Sequence, residues 1–242
     1  ADRFEVSGRG ELHLAILIEN MRREGFELAV GRPEVIFREV EGRQQEPFEN
    51  VLLDVEEAHQ GAVMEDLGKR KGVLSNLLPD GKGRIRIEYE IPTRALIGFR
   101  SDFLTMTSGT GIMTSIFSRY GDVVSKEIGT RTNGVLVSMV TGKCLAFALF
   151  NLQARGRMFI DPNQQIYEGQ VVGLHSRGND LVVNPLKGKQ LTNIRASGTD
   201  ESIILNSPIR HTLEQAIEFI DDDELVEVTP GSIRIRKKLL TE

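Results

Sequence analysis

Apolar and polar positions alternate most sharply at Ile85, Ile87, Tyr89 and Ile91, interleaved with Arg86, Glu88 and Glu90. A period of two over this length predicts a strand with one buried face. Val51, Leu53 and Val55 alternate with Leu52, Asp54 and Glu56 in the same way, and residues 73–78 and 112–118 form two further runs of strand length. Between these runs, Val63 and Leu67, and then Leu96, Phe99 and Phe103, recur at helical spacing. The first of the two helices closes on Lys69-Arg70-Lys71-Gly72, cations and a glycine where a helix C-terminus favours both. Pro79-Asp80-Gly81 has the chemistry of a turn. Residues 46–120 therefore predict the order βαββαβ, the ferredoxin-like split βαβ. Tyr89 is in phase with the isoleucines, so its ring is expected in the core and not on a base-stacking platform.

Residues 4–16 read FEVSGRGELHLAI. The pattern predicts a short strand, a tight turn at Gly8-Arg9-Gly10 and an amphipathic helix. Leu14, Leu17, Ile18 and Met21 form its inner stripe, Glu11 lies in its first turn, Arg22 and Arg23 lie in its last, and Gly25 is its stop. The turn is too short for G-x-G-x-x-G and lacks the Lys-Ser/Thr of a phosphate-binding loop. Residues 26–30 and 34–40 follow as strands. In the tail, residues 135–140 and 145–149 are apolar runs that suggest a barrel-like or sandwich module. Pro208 is placed to begin a helix with Leu213, Ala216, Ile217 and Ile220 inside, and residues 233–235 make a last strand. The carboxylates Asp221-Asp222-Asp223-Glu224 have neither the glycine turn nor the spacing of an EF-hand, so a solvated loop is expected there. The chain is thus α+β, with boundaries expected at 1–44, 45–121 and 122–242.

Composition narrows the chemistry. The single cysteine, Cys144, begins an apolar run and reads as a buried, inert thiol. His13, His59, His175 and His211 are scattered without metal-ligand spacing. There is no apolar run of membrane-spanning length and no signal sequence, which points to the cytoplasm and away from membrane partners. No nucleophile–base pair stands out, so no catalytic residue, nucleotide-binding residue or metal ligand is assigned. With a net charge of −5, any nucleic-acid contact must come from a local patch. Residues 177–197 form one candidate. Arg177, Lys187, Lys189 and Arg195 face a single acid, Asp180, and Asn184, Thr192 and Asn193 add hydrogen-bonding groups. A long polar loop of this kind suits phosphate and sugar contacts on RNA. A solvated surface loop fits the same residues equally well. A protein-interaction adaptor using a sheet edge is the alternative class.

A family resemblance weighs on that choice. FEVSGRGELHLAI resembles the third domain of elongation factor G, and residues 91–120, IPTRALIGFRSDFLTMTSGTGIMTSIFSRY, resemble its fifth. Only a linker separates the two here, and the chain continues long after Tyr120. The wording IPTRALIGFRSDFLTMTSGTG, and the later NPLKGKQLTNIRASGTD at residues 184–200, are similar to the BipA/TypA GTPase family. The resemblance covers essentially the whole chain. It implies the C-terminal portion of a ribosome-associated translational GTPase, without the domain that binds GTP and Mg²⁺, so this portion itself is not expected to be an enzyme. It further implies large-subunit assembly, a role under stress or cold, and a C-terminal domain that reaches ribosomal RNA at the A site, with tRNA as a further contact and no DNA. The RNA-binding residues are then expected to be Arg177, Asn184, Lys187, Lys189, Thr192, Asn193 and Arg195.

Overall fold

A computed structural model describes residues 3–124, 131–188 and 203–240. The chain opens with α1 (Glu11–Arg23), β1 (Leu28–Val30), β2 (Arg38–Val40) and β3 (Arg43–Glu56). Then come α2 (Gln60–Lys69), β4 (Val73–Pro79), β5 (Arg84–Pro92), α3 (Phe99–Met106) and β6 (Ile112–Asp122). The remainder holds β7 (Val135–Ser138), β8 (Gly142–Lys143), α4 (Ala146–Leu152), β9 (Gly156–Met158), β10 (Gln165–Ile166), β11 (Val171–His175), β12 (Leu181–Val183), α5 (Leu213–Phe219), β13 (Glu224–Thr229) and β14 (Ser232–Lys237). The architecture is α+β. By contact the chain divides into two compact units, residues 33–130 and residues 1–32 with 131–242, where the sequence suggested three segments.

In residues 33–130 an antiparallel sheet runs β4–β5–β3–β6, with β2 pairing the start of β3. This is the strand order of a ferredoxin-like split βαβ. The alternation in the sequence fixes which face is buried. Val51, Leu53, Val55, Ile85, Ile87, Tyr89 and Ile91 join Val63 and Leu67 of α2 and Phe99 and Phe103 of α3 in one core. Tyr89 is only 4% exposed, as its phase requires. Two ionic latches tie down the ends. Arg70, at the end of α2, donates to the carbonyls of Ala95 and Ile97 and pairs with Asp66 and Asp102. Glu46 is fully buried, pairs with Arg94 at 2.5 Å and accepts the Val124 N–H at 2.9 Å.

The other unit joins both ends of the chain. β1 is the outer strand of a sheet ordered β1–β13–β14, with Leu28, Ala29 and Val30 opposite Val228, Glu227 and Val226. Ile18 of α1 shares a core with Leu213, Ala216, Ile217, Val226, Val228 and Ile235. A second sheet is ordered β12–β7–β11–β9, and β12 runs parallel to β7. Its central strands are buried on both faces. Val135, Val137 and Val171 meet the α5 core, while Leu136 and Val172 meet Cys144, Leu149, Met158, Ile160 and Ile166. Two-sided burial is why Val135-Leu136-Val137 reads as an unbroken apolar run.

Several expectations change. Residues 145–149 are not a strand; α4 starts at Ala146 and buries Ala148 and Leu149. A short apolar run does not distinguish strand from helix by period, and Ala and Leu favour the helix. The last helix starts at Leu213 and not at Pro208. Thr212 caps it with Gln215 in a reciprocal capping box. In α1 the inner stripe is turned: Ala15 and Ile18 are buried, and Leu17 is 42% exposed. No strand is assigned at residues 3–8, and the strand expected at 34–40 is confined to 38–40. Asp221–Glu224 is a solvated loop only in part: Asp222 and Asp223 are exposed in a turn. Glu224 is fully buried and begins β13, because the carboxylates answer cations from elsewhere in the fold.

Candidate nucleic-acid interface

The polar stretch from residue 177 is not one continuous loop. Leu181-Val182-Val183 forms β12, hydrogen-bonded to β7 and burying Val183. Three apolar residues in a polar segment are a weak signal, and the unbroken polar reading missed it. The strand separates the expected site residues. Arg177 lies at the entry of β7, where its carbonyl accepts the Gly134 N–H. Asn184 and Lys187 lie beyond the other end, where the Pro185 carbonyl accepts the Leu145 N–H. Arg177 and Lys187 are exposed but are not brought together. The Asn184 carboxamide oxygen accepts the Leu186 N–H at 2.9 Å, which engages it in shaping the turn. Lys189, Thr192, Asn193 and Arg195 lie outside the described residues.

The acid of this stretch is neutralised within the fold. Asp180 accepts the Val135 N–H at 2.8 Å and pairs with Lys237 at 2.5 Å. Burial pushes its carboxyl pKa up, but Lys237 and the Val135 N–H outweigh that and hold it below the usual range. Lys237 also reaches Asp223 and Glu224. Glu224 in turn takes a bidentate pair from Arg131, at 2.8 and 2.9 Å, and the Asp221 N–H. Burial raises the Glu224 pKa, and the arginine, the N–H and the lysine together more than reverse it. Burial opposes the charge of Lys237 too, yet the three carboxylates push its pKa well above the usual range. Arg32 pairs with Asp221 and Asp222. The acidic tract is therefore a structural clamp.

What the fold places beside Arg177 is a pair of arginines that sequence reasoning passed over. Ser176 donates to the Arg155 carbonyl, and Leu174 is opposite Arg157 in the β9–β11 ladder. Arg155, Arg157 and Arg177 are all exposed. The signal in the sequence was Arg155-Gly156-Arg157, two cations flanking a glycine. Gly156 permits close strand approach, since a Cβ there would lie 1.9 Å from the Leu174 carbonyl oxygen.

Other chemistry is sparse among the described residues. No group of three or more His, Cys, Asp or Glu is placed to hold a metal, and no helix is long and apolar enough to cross a membrane. Burial pushes the Cys144 thiol pKa up, and Sγ donates to the Asp161 carbonyl. An open groove of about 370 Å³ is lined by Ala15, Ile16, Glu19, Asn20, Arg23 and Leu213, without a nucleophile–base pair.

Residues 43–130 match the family described as Elongation factor G C-terminus, and residues 133–242 match the TypA/BipA C-terminal domain. Proteins named Large ribosomal subunit assembly factor BipA, from Escherichia coli and Salmonella typhimurium, are 69% and 68% identical over 242 residues, the whole of this chain. The Haemophilus influenzae protein of that name is 66% identical over 241 residues. The chain spans 40%, 40% and 39% of their respective lengths.

Proposed function

The chain belongs to the BipA/TypA family, and from that premise we propose that it is the ribosome-docking portion of a large-subunit assembly factor. In this reading it grips ribosomal RNA near the A site of the large subunit, with tRNA as a further contact, and works in the cytoplasm under stress or cold. GTP and Mg²⁺ are handled by the part of the relatives that this chain does not span. Its own sequence holds no G-x-x-x-x-G-K-[ST], so the chain itself neither binds nor hydrolyses GTP. The names of the relatives support the ribosome. One observation supports RNA: Asp180 is bound to Lys237, which leaves the exposed Arg177 and Lys187 as surface cations without an ion-pair partner among the described residues, in an acidic chain. Such cations suit a phosphate backbone.

The adaptor reading rests on a different observation. Ile112, Ile116 and Phe117, on the outer strand β6, are 62%, 63% and 59% exposed, an apolar edge that suits a protein partner.

Ribosome co-sedimentation across a salt series separates the two. Changing Lys187 and Lys189 to Ala should weaken binding and reduce the slope of log affinity against log salt by roughly one to two units, taking about 0.7 per phosphate contact on single strands. The melting temperature should stay put, since Lys187 is exposed. Unchanged affinity and slope in this variant, with loss of binding on changing Ile112 and Ile116 to Ser, would favour the adaptor.

A further inference from the structure

We propose that Arg155, Arg157 and Arg177 form a second RNA-backbone contact, spatially distinct from the Lys187 turn. The proposal rests on the RNA-docking reading above and extends it to residues that the polar stretch does not contain. Arg157 lies on β9, and Arg155 lies in the turn immediately before that strand, joined to the end of β11 by the Ser176 N–H on its carbonyl. Register brings them to one end of the β9–β11 ladder, where His175 is opposite Gly156 and Ser176 bonds to Arg155. Arg177 follows at once, and its position is held by the Gly134 N–H. The approach there is tight: a Cβ on Gly134 would lie 2.2 Å from the Asn179 carbonyl group.

Charge makes this end of the sheet unusual. Several arginines of the unit are held in ion pairs: Arg22 and Arg23 by Glu19, Arg32 by Asp221, Arg131 by Glu224 and Arg210 by Asp161. Arg155, Arg157 and Arg177 are exposed, and none is in an ion pair with a described carboxylate. Asp180, the acid next in sequence, is engaged by Lys237. Three exposed guanidinium groups, one on β9 and two in the turn and bend beside it, without ion-pair partners among the described residues, fit the phosphates of a nucleic-acid strand. The half-buried Phe159, just past β9, contacts His211 and Phe219 and anchors that end of the strand to the core. The docking surface then has two feet, at opposite ends of β12, and Arg177 belongs with β9 and not with Lys187.

The test measures binding of the 242-residue chain to intact large ribosomal subunits and to protein-free RNA extracted from them. Changing all three arginines to Ala should lower the salt slope by roughly two units on both probes, at about 0.7 per contact. Changing all three to Lys should keep most of the slope, because a phosphate accepts either cation. Melting curves should superimpose, and if the Ala variant melts early, the single Gln variants should each remove about one contact. Normal binding by the Ala variant, beside a weakened Lys187 and Lys189 variant, would overturn this second foot and leave RNA docking intact. A loss on intact subunits but not on bare RNA would assign the arginines to an acidic protein surface and also overturn it. Failure of the unsubstituted chain to bind either probe would defeat the docking reading and this proposal together.

Discussion

Removing Arg131 is the substitution that probes the second unit hardest. Its guanidinium holds Glu224 in a bidentate pair, donates to the Phe219 carbonyl at 3.2 Å and stacks over the Phe219 ring at 4.6 Å. Glu224 has no solvent exposure, and the Arg131 side chain has 14%. Arg131→Ala leaves a buried carboxylate with Lys237 and the Asp221 N–H as its remaining partners. Removing one partner of a buried pair costs about 3–5 kcal/mol, most of it the desolvation of the charge left behind. For a unit of this size that corresponds to a fall of roughly 6–20 °C in melting temperature. The pH dependence has a definite sign. Native Glu224 titrates below the ordinary glutamate value because its partners outweigh burial. Its contribution is complete above about pH 4.3 and is lost as pH falls from there through the depressed native value. Thermal denaturation from pH 7 to pH 3 should show this acid limb, and Glu224→Gln should flatten it. A melting temperature within 2 °C of the unsubstituted chain for Arg131→Ala would refute the claim that this pair holds the unit together.

Three further outcomes follow from the packing. Ile87→Ala, at a fully buried site between strands and helices, should cost the ferredoxin-like unit about 2–5 kcal/mol in urea denaturation; a cost under 1 kcal/mol would contradict the assigned core. Gly156→Ala places a Cβ 1.9 Å from a backbone oxygen and should destabilise the chain by about 1–3 kcal/mol or more, whereas Gly61→Ala, which meets nothing within 4 Å, should be neutral or slightly stabilising. Thr212→Ala removes one half of a capping box and should cost about 1 kcal/mol; no change would mean that α5 is held by packing alone.

Legibility in the sequence followed burial geometry. The strand at Ile85–Ile91 was readable because one face is buried and the other wet, so the period of two survives. Where both faces are buried, as at Val135-Leu136-Val137, the period vanishes and only the run remains. At residues 145–149 that ambiguity hid a helix. β13 and the Glu224 clamp were obscured by long-range pairing: Arg131 and Glu224 are 93 positions apart, and nothing local marks one as the partner of the other. The association of residues 1–32 with 131–242 is hidden for the same reason. In the candidate interface, charge counting found Arg177 and Lys187 but could not see that β12 parts them. It also missed Arg155 and Arg157, which register places beside Arg177.

The central claim is that this chain docks on the RNA of the large ribosomal subunit. The most direct measurement is co-sedimentation of the 242-residue chain with purified large and small subunits across a salt series. The account predicts selective binding to the large subunit, with log affinity falling linearly as log salt rises. Equal binding to both subunits, or binding to the large subunit that does not respond to salt, would contradict it.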